Sequence, residues 1–364
     1  MRARARAAAW SAGLTAVLAL VATVAAGIGP VSIEAATVAK VLVNAVRVPV
    51  GVELYSGGGS ALQLPAVGLR WAPLTDFEVE KLHATIVLSV RLPRIALGAT
   101  VGFALGAAGV VMQGFFRNPM ADPSIIGVSS GAAVGAVLFI VAPFAVPFGL
   151  GLRGAAFLGA LATAAVVYLI ATEGGRTPVA TLLLAGVAIQ TFLGAVTSYL
   201  LLHSGESMRR VVYWLMGHLD ASRMTEAWIT GLLAVGLVGL MYLYAEDLNA
   251  MLLGEEEARA VGIEVERTKR ILLAASSVVT GAAVAVAGVI GFVGLIVPHA
   301  MRLIVGPDHR VLLPVSALAG ASFLVAADTL ARSGAAELPV GIVTAALGAP
   351  FFLYLLRRRE VSEL

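Results

Sequence analysis

No cysteine occurs among the 364 residues, so disulfides, thiolate nucleophiles and cysteine-held metal are excluded from the outset. Charge is scarce as well: 13% of residues are Asp, Glu, Lys or Arg, too few to coat a soluble globule that is 59% hydrophobic. The five histidines, His83, His203, His218, His299 and His309, are scattered, with no HExxH and no carboxylate at ligand spacing, so no metal site is expected. There is no GxxxxGK(S/T) phosphate loop and no acidic cluster placed to hold magnesium for ATP, which argues against nucleotide hydrolysis by this chain. An intramembrane enzyme would need a nucleophile with a base, or a metal motif, and neither is present.

What is present is oil. A mean hydropathy of +0.93 and long, unalternating apolar runs point to an all-α polytopic membrane protein, because hydrocarbon admits only helices or closed barrels. The formal net charge of +3 does not imply nucleic acid, since the arginines gather at span ends, where membrane orientation explains them better. The bilayer is the expected surround.

About ten transmembrane helices are expected. Arg2, Arg4 and Arg6 precede an apolar run too long for a signal peptide, so residues 1–30 are assigned to an N-terminal cytoplasmic tail and an uncleaved first span. Residues 31–83 form an external segment, amphipathic near Ile33 to Val46, with no assignable periodicity from Gly51 to Asp76 and with Ser56 to Ser60 in a loop. The core, residues 84–364, holds spans beginning near Thr85, Ile125, Ala155, Val179, Ala227, Ile271, Leu295, Leu312 and Val340, and closes on Arg357, Arg358 and Arg359. Ten spans place both termini inside, as the positive-inside rule prefers. The outward cations Arg91, Arg94, Arg153, Arg209, Arg210, Arg223 and Arg332 break that rule and need a reason. Gly102, Gly106, Gly109 and Gln113 share one face of the second span, which suits close helix packing.

One interval stands apart, Ala245 to Arg270, with eleven charged residues between two apolar runs. It must sit in water. Leu248, Met251 and Leu252 share a helical face, Gly254 breaks the pattern, and Glu255 to Val261 reads as a second short helix with three carboxylates at its positive end and Gly262 as its stop. Such a pair of short helices is either a handle for another protein or a solvated loop.

Arg91-Leu92-Pro93-Arg94, Gln113, Arg117-Asn118-Pro119-Met120-Ala121-Asp122-Pro123 and Gly127 with Ser129-Ser130-Gly131-Ala132 are similar to motifs of a known family. So are Gly291-Phe292, Gly294-Leu295, Pro298-His299, Arg302, Asp308-His309-Arg310, Asp328, Ala331-Arg332, Glu337-Leu338-Pro339-Val340-Gly341 and Gly348-Ala349-Pro350. In unbroken order from Thr85 to the C terminus, they resemble the permease subunits of type II ATP-binding-cassette importers, which take up iron siderophores, haem and vitamin B12.

The resemblance implies a homodimer with two ATPase subunits on the cytoplasmic side and an external substrate-binding protein, in the cytoplasmic (inner) membrane. It implies no cofactor in this chain, ATP and magnesium being bound by the partner ATPase. The charged interval becomes the ATPase-coupling element, with Leu252, Gly254, Glu255, Glu256, Glu257, Ala258, Arg259, Val261 and Gly262 as its residues. Arg91, Arg94 and Arg332 are implied to receive acidic groups of the binding protein; snorkelling, or for Arg332 an internal pair with Asp328, is the other reading. The stripe Gly186, Gln190, Gly194, Thr197 and Ser198 either lines the translocation path or packs helices. The expected cargo is a haem or ferric siderophore chelate, with cobalamin as the alternative. A proton-coupled carrier using Asp328 and Glu337 is the second class of function. Two departures from the family pattern are the stretch Gly51 to Asp76, which looks like an insertion, and His218, where a small residue is usual.

Overall fold

A computed structural model describes residues 2–55, 66–146, 151–220, 222–334 and 336–357. Ser56 to Ser60 of the expected loop, and Arg358 and Arg359, lie outside these residues.

Each expected span is a helix. The membrane-crossing set is α1 (Arg2–Gly27), the second span, α5 (Val128–Val141), α6 (Gly151–Ala171), α7 (Val179–Leu202), α9 (Met224–Leu243), α12 (Val265–Ala287), α13 (Val293–Val305), α14 (His309–Ala331) and α15 (Val340–Arg357). Seven of these are long and apolar enough to cross a membrane, while α5, α13 and α15 are shorter apolar helices, and the short α8 (Met208–Leu215) lies between α7 and α9. The second span is compound: α3 (Lys81–Thr85), a π-helical turn over Ile86–Arg91, and α4 (Leu92–Phe116). Pro93 lacks an N–H and its ring presses on the carbonyl four residues back, so the widened turn before it absorbs the strain and the helix continues.

Glycine brings the helices together. A Cβ on Gly102 would lie 2.2 Å from the carbonyl oxygen of Gly320, and one on Gly320 would lie 2.3 Å from that of Gly102, so α4 and α14 touch backbone to backbone. Gly131 and Gly159 make the same close approach between α5 and α6. In lipid no hydrophobic force drives helices together, and van der Waals contact at such distances supplies the association. Helix α4 is consequently buried along almost its whole length and forms the axis of the bundle.

The segment after α1 corrects the reading of Gly51 to Asp76 as without periodicity. It forms an antiparallel hairpin of β1 (Arg47–Tyr55) and β2 (Ala66–Pro73), with Val48 opposite Ala72, Val52 opposite Leu69, and a register shift between Pro49 and Gly51. Proline and glycine in one strand, with the bulge they cause, erase the period-2 signal. The preceding α2 (Ala35–Ala45) buries Val38 and Val41 beside Ala25 and Ala26 of α1. Asn44 fixes the return of the chain, donating to the Phe77 carbonyl at 2.8 Å and accepting from the Thr75 hydroxyl at 2.8 Å.

Candidate functional site: the two polar ends

The charged interval folds as α10 (Ala245–Leu253) and α11 (Glu255–Ala260), hinged at Gly254 with φ 150°. Helix α10 turns Ala245, Leu248 and Met251 inward. Helix α11 ends on Gly262 at φ 91°, where the Gly262 N–H donates to the Arg259 carbonyl at 3.0 Å and the Ile263 N–H to that of Ala258 at 3.1 Å. That pair of bonds is a Schellman stop, and it needs the left-handed residue that glycine supplies.

Lys269, near the start of α12, clamps this unit. Its ammonium lies 2.5 Å from Glu255 and 3.5 Å from Glu266, and donates to the Thr177 carbonyl at 3.2 Å. Arg259 adds pairs to Glu255 at 3.1 Å and Glu266 at 3.4 Å. Asn249 ties α10 to α14: its amide donates to Asp308 at 2.8 Å, and its carbonyl oxygen accepts from the His309 backbone N–H at 2.9 Å. Asp308 in turn caps α14 and holds Arg310 at 2.8 Å, and these bonds bring its carboxyl from the usual 3.8 down to about 2.

The residues expected on this element divide in two. Glu256, Glu257 and Val261 face solvent, with Val261 73% exposed, and Arg259 and Gly262 are also exposed. Ala258, expected among the coupling residues, is instead fully buried with Met251 and Val265, Gly254 is buried, and Leu252 is half-buried. The exposed leucine is Leu253, at 79%. Leu253 points outward because the inward face of α10 is held by Ala245, Leu248 and Met251. Leu253 to Glu257 border a groove of about 590 Å³ closed on its other side by Phe115, Phe116 and Arg117. Asn249 gave no signal in the sequence, since its role depends on a loop 59 positions away.

At the opposite end, Arg91, Arg94 and Arg332 were expected to face outward and are instead 4%, 7% and 3% exposed. Arg94 grips Asp328 through Nε and Nη2, the latter at 2.9 Å, and reaches Glu337 at 3.0 Å. Arg332 lies 3.5 Å from Asp328, which is the internal pair allowed for, and donates to the carbonyls of Ile28 at 2.8 Å and Ala25 at 2.5 Å. Arg91 donates to the Ala26 carbonyl at 2.6 Å and to that of Val31. Two guanidiniums therefore cap the orphan carbonyls at the end of α1, where the helix dipole is also negative. Gly29 leaves room for this, since a Cβ there would lie 2.8 Å from Arg91 Nη2. Here is the reason that the positive-inside rule lacked.

The α7 stripe also divides. Gly186 packs on the 3₁₀ turn Pro123–Ile126, where a Cβ would lie 2.4 Å from the Ile125 carbonyl, and the Gln190 amide donates to that same oxygen at 2.7 Å. Gly194 and Ser198 are exposed and Thr197 is half-buried. Both hydroxyls donate into their own helix, Thr197 to Leu193 at 2.9 Å and Ser198 to Gly194 at 3.0 Å. His218 packs on Tyr213 in a tilted contact, with ring centroids 5.0 Å apart.

A glycine-packed bundle of apolar spans, with a clamped polar unit at one end and helix-capping arginines at the other, is a multi-pass membrane permease. Residues 17–358 match the FecCD transport family, and the chain belongs to that family. It is 56% identical over 373 residues to the cobalamin import system permease protein BtuC of Halobacterium salinarum, covering 100% of this chain and 99% of that protein. It is 43% identical over 309 residues to the hemin transport system permease protein HmuU of Yersinia pestis, covering 83% of this chain and 92% of that one. A solved structure of a candidate metal-chelate type ABC transporter, in an inward-facing conformation, superposes with a TM-score of 0.78 at 30% identity, covering 96% of this chain and 98% of the other. The chain is thus a transport component, the membrane permease subunit of an ABC importer.

Proposed function

We propose that the chain works as one of two identical permease subunits in the cytoplasmic membrane, with both termini in the cytoplasm. Two ATPase subunits seat on α10–α11, and an external substrate-binding protein delivers the cargo. That cargo is a bulky iron chelate, haem or a ferric siderophore, as the hemin permease relative supports. Cobalamin is the second reading, favoured by the full-length likeness to a cobalamin permease, which includes the hairpin segment.

One observation carries the reading: Lys269 and Arg259 lock α11 onto α12 while Glu256 and Glu257 remain free in water. A partner pushing on that face moves α11, α12 and α10 as one body, and Asn249 passes the displacement to α14. Arg117, Arg176, Arg259, Arg267, Lys269, Arg270, Arg302 and Arg310 gather at this end, which supports its cytoplasmic placement. Asp328 and Glu337, the carboxylates that a proton-coupled carrier would use, are both engaged by Arg94, which supports the ATP-driven reading. The self-satisfied hydroxyls of the α7 stripe suit a path along which a large chelate slides without being trapped. Docking of the binding protein falls to the outer rim, where Arg91, Arg94 and Arg332 shape the surface from within and the exposed Arg209, Arg210 and Arg223 meet acidic groups.

The test is Glu256→Lys combined with Glu257→Lys, in vesicles holding permease, ATPase and binding protein. Both side chains are exposed, so folding changes by less than about 0.5 kcal/mol. ATP-driven uptake of labelled chelate is expected to vanish, and uptake at the parent rate would remove the interface. Side-by-side uptake of labelled haemin, ferric siderophore and cobalamin selects the cargo. Accumulation by the permease alone on an ion gradient would overturn the class.

A further inference from the structure

Helices α6 and α12 meet tightly at one level, where a Cβ on Gly281 would lie 3.1 Å from the Cβ of Ala160. On either side of that pinch they part, leaving two separate slots. The slot on the α10–α11 side has a volume of about 200 Å³, with walls of small and apolar residues, Ala164, Leu273, Ala274 and Ser277 among them. The Ser277 hydroxyl is turned into its own helix, onto the Leu273 carbonyl at 2.7 Å, so the wall offers no free polar group there. Ala165 and Ala274, which line the slot from its two walls, are themselves exposed, so it opens to the surface of the bundle.

The rim of this slot is polar and lies near the start of α12, at the end of the span. Arg270 and Tyr168 form it, joined by a bond from Arg270 Nε to the Tyr168 hydroxyl at 3.3 Å. No carboxylate lines the slot, and among the described residues Arg270 makes no ion pair. The neighbouring cations are not comparable, since Lys269 is committed to Glu255 and Glu266, and Arg267 to Glu264. The slot on the other side of the pinch, about 350 Å³ between α6, α9 and α12, is also apolar, but its rim cation, Arg153, already lies 2.6 Å from Glu226.

We propose that the slot between α6 and α12 on the α10–α11 side is a binding site for one anionic glycerophospholipid. One acyl chain lies along Ala164, Ala274 and Ser277, and the phosphodiester meets the Arg270 guanidinium and the Tyr168 hydroxyl. An arginine with no protein counter-ion at the membrane surface, above an apolar cleft between two spans, has the chemistry for a charged headgroup. The opposite slot takes a chain without preference for anionic lipid, because Glu226 neutralises its arginine. The bound lipid braces α12, the helix that Lys269 couples to α11, and so stiffens the element that receives the ATPase.

The experiment is native mass spectrometry of the full-length chain released from mixed phosphatidylglycerol and phosphatidylcholine vesicles. One retained phosphatidylglycerol is expected on the parent protein, falling about fivefold in Arg270→Gln. Ala274→Trp fills the slot without touching charge and is expected to expel the same lipid. Arg153→Gln is expected to retain it. Added inorganic phosphate is expected not to displace it, because the chain provides much of the hold. Retention of phosphatidylglycerol in both Arg270→Gln and Ala274→Trp would overturn the site. Equal loss in Arg153→Gln would show that net charge alone governs retention, and displacement by phosphate would reduce the site to a simple anion contact; either result refutes the proposal.

Discussion

At the α10–α11 end, Glu256 and Glu257 stand in water and the ion pairs around Arg259 sit at a wet surface; at the opposite end, Arg91, Arg94 and Arg332 have almost no contact with water. The residue types are the same and the physical work is opposite. Exposed pairs are individually weak and leave their outward neighbours available to a partner. Buried guanidiniums satisfy carbonyls and carboxylates that would otherwise be orphaned, so they hold the fold and are not available to a docking protein. Charge at a span end thus stays free in water in one place and caps a helix in the other, and only the surroundings distinguish the two.

The comparison is broken most forcefully at Arg94. Arg94→Ala strands Asp328, which is 2% exposed, with Arg332 as its remaining cation at 3.5 Å, and is expected to cost about 3–5 kcal/mol. Loss of monodisperse, folded protein checks this, and Arg94→Met with Asp328→Leu is expected to recover part of it. Parent-like melting of Arg94→Ala would place the cluster in water after all.

A smaller effect is expected at Arg332. Arg332→Gln removes charge-assisted bonds to Ala25 and Ile28, costing about 2 kcal/mol and exposing the end of α1 to proteases. Arg332→Lys is expected to rescue little, because one ammonium does not span two carbonyls as a planar fork does. Full rescue by lysine would mean that charge, and not geometry, holds the helix end.

The smallest effect lies at the wet end. The Asp308 carboxyl is lowered from 3.8 to about 2, so its stabilisation is present above the ordinary carboxylate range and is lost as pH falls through about 2. For this partly exposed group, screening reduces the contribution to about 1 kcal/mol. Asp308→Asn is therefore expected to lower the melting temperature slightly at neutral pH, with the difference closing as pH falls from about 4 to about 2. A difference independent of pH would assign the loss to the Asn249 hydrogen bond alone.

The spans, the hinge at Gly254 and the stop at Gly262 were legible in the sequence, because hydrophobic run length and glycine's left-handed conformation are local properties. The hairpin was not, since Pro49 and Gly51 interrupt its alternation. Glycine also shows how one residue type serves two ends: Gly109 lies inside α4, pressed against Gly294, whereas Gly288 ends α12 at φ 70°. Glycine marks both places for different reasons, one for close approach and one for a turn.

By itself, the sequence determined that this protein lives in a membrane as a stack of helices with one stretch forced into water, because hydrocarbon tolerates neither open backbone nor unpaired charge. The tertiary structure alone decided which cations meet solvent. Arg94 finds its carboxylate 234 positions away and Arg332 finds the end of α1 more than three hundred positions back, at a separation of 304 for Ile28. Burial is a property of what arrives beside a residue, and no local pattern records that.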